Sequence, residues 1–395
     1  MKIGSKEPKN RQKLNRKTSP SFLWIALCIL SCISTALEAL TEGYGMSVEQ
    51  TLDICCQTGN IEGLLWVIQQ QKKNHAHFDS VRIVRAVENL VTGGFDSLLL
   101  QFRNIYDCAL FDEEQKDKWI DLALEIGYPN TVRTLQRLHF PLSLQQQCKL
   151  DTLSVVLSQN LPITPPEPIN EQHDIAHGGS NNRAIYHKEY KIGLLYVLHH
   201  LRNKQCDFLT LIENLGHRRR HMAGLGRLTG IDLYGIPTNQ HTYTYYDPVY
   251  ALYGKRIHEK YPDLPKSVIV KLHRKEMRLT EMTNERWVHP NGEHREELLN
   301  KIAELCYLVH SKSYENRTRE LAYDLGRIIW WCSHAPPFLR GTPTIINMLI
   351  DALCIYHHRE PLVKSPDINC EALLYDNEEE FALYMFYRDD LPRSF

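Results

Sequence analysis

The sequence predicts a mostly α-helical chain built as a helical repeat array followed by a larger helical domain with a small β-hairpin, and three observations carry that expectation. Gly59, Gly93 and Gly127 stand at a constant spacing of 34 residues. Around them the apolar positions agree, as Leu52/Ala86/Ile120, Cys56/Leu90/Leu124 and Leu64/Leu98/Val132, with Val67 and Leu135 flanking a weaker Gln101. A fixed period of this size marks a stack of helix–turn–helix units. The second observation is the stretch 316–362, where two strongly patterned helices flank a short Pro- and Gly-bearing loop. The third lies between them: Pro162, Pro165, Pro166 and Pro168, followed by Gly178-Gly179-Ser180, read as a linker over 161–185.

A chain of 395 residues has mass for two domains, and a net charge of -1 gives no global pull toward nucleic acid. Charge is uneven at the start. Lys2, Lys6, Lys9, Arg11, Lys13, Arg16 and Lys17 face only Glu7 within residues 1–20, which reads as a basic disordered tail. Within the hydrophobic segment 21–40, Phe22 to Leu37 carries no charge over 16 residues. It reads as a membrane-associating segment or as a buried first helix of the next domain, with a cleaved leader as a third reading; an untilted span needs about twenty residues. The eleven cysteines are an odd number with no Cys-x-x-Cys pair, and Cys306, Cys332 and Cys354 fall within apolar helical patterns. They read as small core residues in a reducing compartment.

The array over 45–160 resembles degenerate ankyrin repeats, although the Thr-Pro-Leu-His opening is absent. The resemblance implies that the repeats grip a partner protein. The other reading is that they pack against the second domain and have no outside partner.

Beyond the linker, Lys191 to Leu215 is helical by pattern, with Leu194, Leu195, Leu198 and Leu201 on one side. His217-Arg218-Arg219-Arg220-His221 then reads as a solvated basic turn. His217 and His221 at i, i+4 lack the acidic residue and third ligand of a metal site, so no metal is expected. Gly224-x-Gly226 lacks the preceding strand of a phosphate loop. Alternation at His241-Thr242-Tyr243-Thr244-Tyr245 predicts a β-strand, either one arm of a hairpin or a tyrosine-rich loop over the core.

In 316–362, Leu321, Leu325, Ile328, Ile329 and Cys332 define one buried helical face. The second helix is expected to open with Thr342 as the cap and Pro343 at the first helical position, and it is apolar nearly all round from Ile345 to Tyr356. Arg340, Gly341, Thr342 and Thr344 thereby stand at the positive end of a buried helix, an arrangement suited to an anion. His334 is the one nearby side chain with general-base chemistry, and it could equally cap the preceding helix.

This stretch resembles a Fic domain, whose loop His-Pro-Phe-x-Asp/Glu-Gly-Asn-Gly-x-x-Arg lies between two such helices. Pro337-Phe338 and Gly341 match the Pro-Phe and first Gly, and His294 to Val309 is similar to the family's earlier helix. Pro336 stands at the place of the catalytic His and Arg340 at that of the metal-binding carboxylate, while Thr342 and Pro343 replace the Asn and second Gly and the motif Arg is missing. The nearer comparison is therefore the degenerate AvrB-type branch of the Fido superfamily. Residues 186–395 would form such a domain, and Ser311 to Asn316 matches the family's self-inhibitory signature only by chance. The resemblance implies a bacterial effector acting in the host cytosol on a host protein. It would transfer a group from a nucleotide or nucleotide-sugar donor held by Arg340, Gly341, Thr342 and Thr344, with His334 and Arg340 in catalysis. Tyr243 and Tyr245 would align the target chain by strand addition. The alternative is a non-catalytic scaffold that binds through its repeats.

Overall fold

A computed structural model describes residues 47–74, 78–107, 111–163, 180–203, 206–225, 267–272, 275–283, 286–288, 294–338, 341–362, 368–389 and 391. The described chain is mostly helical. The hydrophobic segment 21–40 and the strand expected at His241 to Tyr245 lie outside these residues. No helix among the described residues is long and apolar enough to cross a membrane.

The repeats fold as the period predicts. Helices α1 (Val48–Thr58) and α2 (Ile61–Asn74), α3 (Ser80–Thr92) and α4 (Asp96–Phe102), and α5 (Glu113–Ile126) and α6 (Pro129–Arg137) form three consecutive pairs. A further helix, α7 (Leu144–Leu157), stacks on the third pair. Each first helix, and α7 with them, has a side-chain cap: Ser47, Asp79, Asp112 and Ser143 accept from the amides of Gln50, Arg82, Gln115 and Gln146. The repeating positions Leu52, Ala86 and Ile120 are all fully buried, inside one apolar cluster that runs the length of the array. Ion pairs cross between successive first helices at Asp53–Arg82, Glu88–Lys118 and Asp121–Lys149, and such exposed pairs contribute little beyond register.

The turns are less regular than the spacing of their glycines. Gly59 and Gly127 adopt left-handed backbone at φ 71° and 86°, whereas Gly93 is right-handed at φ -84° and Gly94 takes the left-handed place at 62°. The middle turn is one residue longer than its neighbours. At Gly127 a side chain is excluded twice over, by the positive φ and by the Tyr196 ring, 2.6 Å from where a Cβ would sit.

The second part begins earlier than the linker reading allows. Its first helix, α8 (Ser180–Leu201), starts inside the expected linker, and α9 (Phe208–Leu225) comes after it, so the single helix expected over Lys191 to Leu215 is two helices broken near Asn203. A three-stranded antiparallel sheet comes next, β1 (Ser267–Leu272), β2 (Lys275–Thr283) and β3 (Arg286–Val288), with Val268 and Leu279 buried in the core. The chain then runs through α10 (Arg295–Ser311), α11 (Thr318–His334), α12 (Thr342–Tyr356), α13 (Ile368–Ala372) and α14 (Glu378–Phe386). Helix α11 packs along α14, and α8 packs along α12. Cys306, Cys332 and Cys354 are buried in the common core with free thiols.

The junction of the two parts overturns the solvated-turn reading of 217–221. Those residues are helical, and Arg218, Arg219 and Arg220 are only 3%, 3% and 5% exposed. The guanidinium of Arg218 donates to the carbonyls of Ile126 and Gly127 at 3.1 and 2.9 Å, and lies over the rings of Tyr128 and Tyr196. The Tyr196 hydroxyl donates to Glu125 O at 2.5 Å, and the Asn214 amide contacts the same carbonyl. His221 Nδ1 lies 2.9 Å from Gly93 O, so that nitrogen carries the proton and donates. Helices α8 and α9 thus cap the carbonyl ends of two first helices in the array, where the dipole favours cations. Replacing Arg218 by Met should lower stability by about 3 kcal/mol, because two buried carbonyls lose their donor. Urea unfolding monitored by fluorescence should show that loss with both apolar clusters still melting in one transition.

Candidate functional site

The loop after α11 is shaped by what its neighbours need. Trp330 Nε1 donates to Tyr375 O at 2.9 Å, Trp331 Nε1 donates to Glu378 Oε2 at 2.5 Å, and Arg327 pairs with the other oxygen of Glu378. The C-terminal segment is thereby fastened along α11 by groups that precede the loop.

His334 belongs to the same fastening. Its ring is fully buried and packs on Trp330 with centroids 4.5 Å apart, and Nε2 faces the carbonyls of Ala372 and Tyr375, both at 3.1 Å. With Nε2 donating to two carbonyls at and just after the end of α13, the ring of His334 ties the C-terminal segment to α11. Its truncation to Ala should destabilise the protein by about 3 kcal/mol, as for other large buried side chains. The midpoint of chemical denaturation measures this, and an unchanged midpoint would restore His334 as a candidate functional group.

Past the buried Phe338, Leu339 and Arg340 lie outside the described residues. The opening of α12 differs from the expected cap by one residue. Gly341, at φ 88° and ψ 0°, is the N-cap, and Thr342 is already helical. The Thr342 hydroxyl donates backward to Phe338 O at 3.2 Å, so it holds the loop closed and does not cap the helix. Gly341 supplies no side-chain cap, and it opens a helix whose Ile345 to Cys354 segment is largely buried. Thr344 hydrogen-bonds the hydroxyl of the partly buried Tyr186, whose pKa is raised chiefly by burial and held back by the nearby Arg219. One turn further along α8, Tyr190 donates to Asp351 at 2.5 Å, with both residues buried. Tyr243 and Tyr245 lie outside the described residues.

Gly341, Thr342 and Thr344 stand at the start of α12, with Tyr186, Arg219, Tyr190 and Asp351 behind them. Two signals could have found this layer: Asp351 is the one charged residue between Ile345 and Tyr356, and Tyr186 and Tyr190 recur at i, i+4. The partner of a lone carboxylate in an apolar helix is a question the sequence raises. A further residue that sequence reading missed is Arg295, whose Nε donates to Pro337 O at 3.3 Å. Glu315 of the apparent self-inhibitory signature is exposed, in the turn between α10 and α11.

Compared with known protein families and with curated proteins, the chain matches no family model and no curated sequence.

Burial also sets the protonation of the histidines around the junction. His200 and His217 are held near a pKa of about 4, in both cases mainly because burial disfavours the charged ring, with His199 and Arg220 respectively adding repulsion. Their ordinary value is 6.5, so the unfolded chain takes up protons first as pH falls. The stability they confer is complete above 6.5 and drains away between 6.5 and about 4. The urea midpoint should accordingly fall on acidification from pH about 7 to about 5, and His217→Gln should flatten that fall.

Proposed function

We propose that the protein is an effector of Fic-like type that transfers a phosphate-linked group, from a nucleotide or nucleotide-sugar donor, to a hydroxyl of a host protein in the host cytosol. The donor's phosphate is held at the amino end of α12. The observation that carries this reading is the start of α12: its N-cap Gly341 has no side chain to offer, Pro343 has no amide hydrogen, and the amides of Thr342 and Thr344 stand at the opening of a buried helix. Such an end attracts oxyanions through the helix dipole and its unpaired N–H groups. Arg340, one residue earlier in the chain, is the cation this site would use for the leaving phosphate. With His334 facing carbonyls, the reading does not assign it the proton of the incoming hydroxyl.

A second reading, a non-catalytic scaffold that grips a partner through its repeats, is favoured by a different observation. The hydroxyls of Thr342 and Thr344 and the ring of His334 are all engaged in contacts within the fold. Thermal melting of the full chain with a panel of nucleotides and nucleotide sugars, with and without magnesium, separates the two. The transferase reading expects a donor-dependent rise in melting temperature that Arg340→Ala abolishes. At donor concentrations of about 100 times Kd the stabilisation is about 2.7 kcal/mol, which is readily measured. Melting curves that no donor moves would reject that reading in favour of the scaffold.

A further inference from the structure

The segment that leaves α11 opens on two consecutive prolines. Pro336 and Pro337 supply no amide hydrogens, so two consecutive positions cannot donate to their surroundings, while their carbonyls still need donors. A donor to the Pro337 carbonyl is Arg295, the first residue of α10. Its guanidinium also stands 6.0 Å from the centroid of the buried Phe338 ring, and Nη1 lies 3.5 Å from Glu213 on α9. Phe338 in turn offers its carbonyl to Thr342, the first residue of α12.

An arginine at this place does nothing for its own helix. It sits at the positive end of α10 directly after His294, where the dipole disfavours a cation and where Glu296 and Glu297 supply the ordinary first-turn carboxylates. Its partners are elsewhere: one on the loop and one on α9.

The geometry points to Arg295 as the positioning residue of the loop, tying Pro337 and Phe338 to α9 and α10 so that Gly341 presents the start of α12 in a fixed orientation. This inference rests on the donor-site reading for its functional consequence, and on the loop contacts alone for its structural one. Arg295 acts through the backbone of the loop. The planar fork matters, because Nε bonds a carbonyl while Nη1 meets a carboxylate, which the single ammonium of a lysine cannot reproduce.

The test is hydrogen exchange on the full chain, read on peptides covering 335–345, for the wild type, Arg295→Gln, Arg295→Lys and Glu213→Gln, together with the melting shift caused by each nucleotide in the panel. Arg295→Gln should speed exchange in that peptide by about tenfold, leave peptides in α5 and α14 unchanged, and abolish any donor-induced shift. Arg295→Lys and Glu213→Gln should each give part of the effect, and they keep the test decisive should Arg295→Gln not fold. Unchanged loop exchange in the three variants overturns the inference. A wild type whose melting no nucleotide moves counts against the donor reading only, since the exchange measurement then still decides what Arg295 does.

Discussion

Helix ends leave carbonyls without partners, and at the junction of this protein those carbonyls are taken out of water. Glu125, Ile126 and Gly127 end one repeat helix and Gly93 ends another, and each of these carbonyls receives a donor from α8 or α9. Much of the second part is arranged around meeting that demand. The three adjacent arginines of α9 point to different sides of the helix, and all three are buried. Burying charges so densely is tolerable only with acceptors at hand, and Glu189, on α8, comes within 4.0 Å of His221. The layer that serves the repeats on one side continues into Tyr190 and Asp351 on the other, beneath α12.

This continuity gives the loop its setting. On one side α11 is fixed by its two tryptophans and His334 to the C-terminal segment. On the other, α12 is fixed through Thr344 and Asp351 to α8. Between these two helices, Arg295 holds the carbonyl of Pro337, Thr342 holds that of Phe338, and Gly341 takes left-handed backbone. The groups that a catalytic reading would first consider are the ones that make the frame rigid. The backbone at the start of α12 is what the frame presents.

The parts legible in the sequence are those whose cause is local. A period of 34 and a helical face of Leu321, Leu325, Ile328, Ile329 and Cys332 are written in spacing, and burial tracks spacing. The run at 217–221 misleads because its physical reason is distant: five basic residues look solvated until the carbonyls of Gly93 and Gly127 are brought to them. Thr342 has the composition of a cap, but an acceptor four residues back claims its hydroxyl. The strands at 267–288 carry an alternation, Val268, Val270, Leu272, that lysine and glutamate neighbours dilute, and the tyrosines near 243 offered a stronger pattern. Arg295 could not be read at all, since nothing in the residues around it announces a proline carbonyl 42 positions away.

The middle turn of the array, with its left-handed residue displaced from Gly93 to Gly94, separates this architecture from an open solenoid. In a solenoid every repeat meets only copies of itself, so units can be duplicated or lost and the protein lengthens or shortens without harm. Here two of the three turns answer to their own donors, His221 at the second and Arg218 at the third, and those two turns differ in length and in the place of their left-handed residue. A unit inserted between these two turns would part them from helices that reach both at once, whereas a unit added before the first pair would leave both contacts in place. Growth of the array is therefore open at its amino end and closed at the junction.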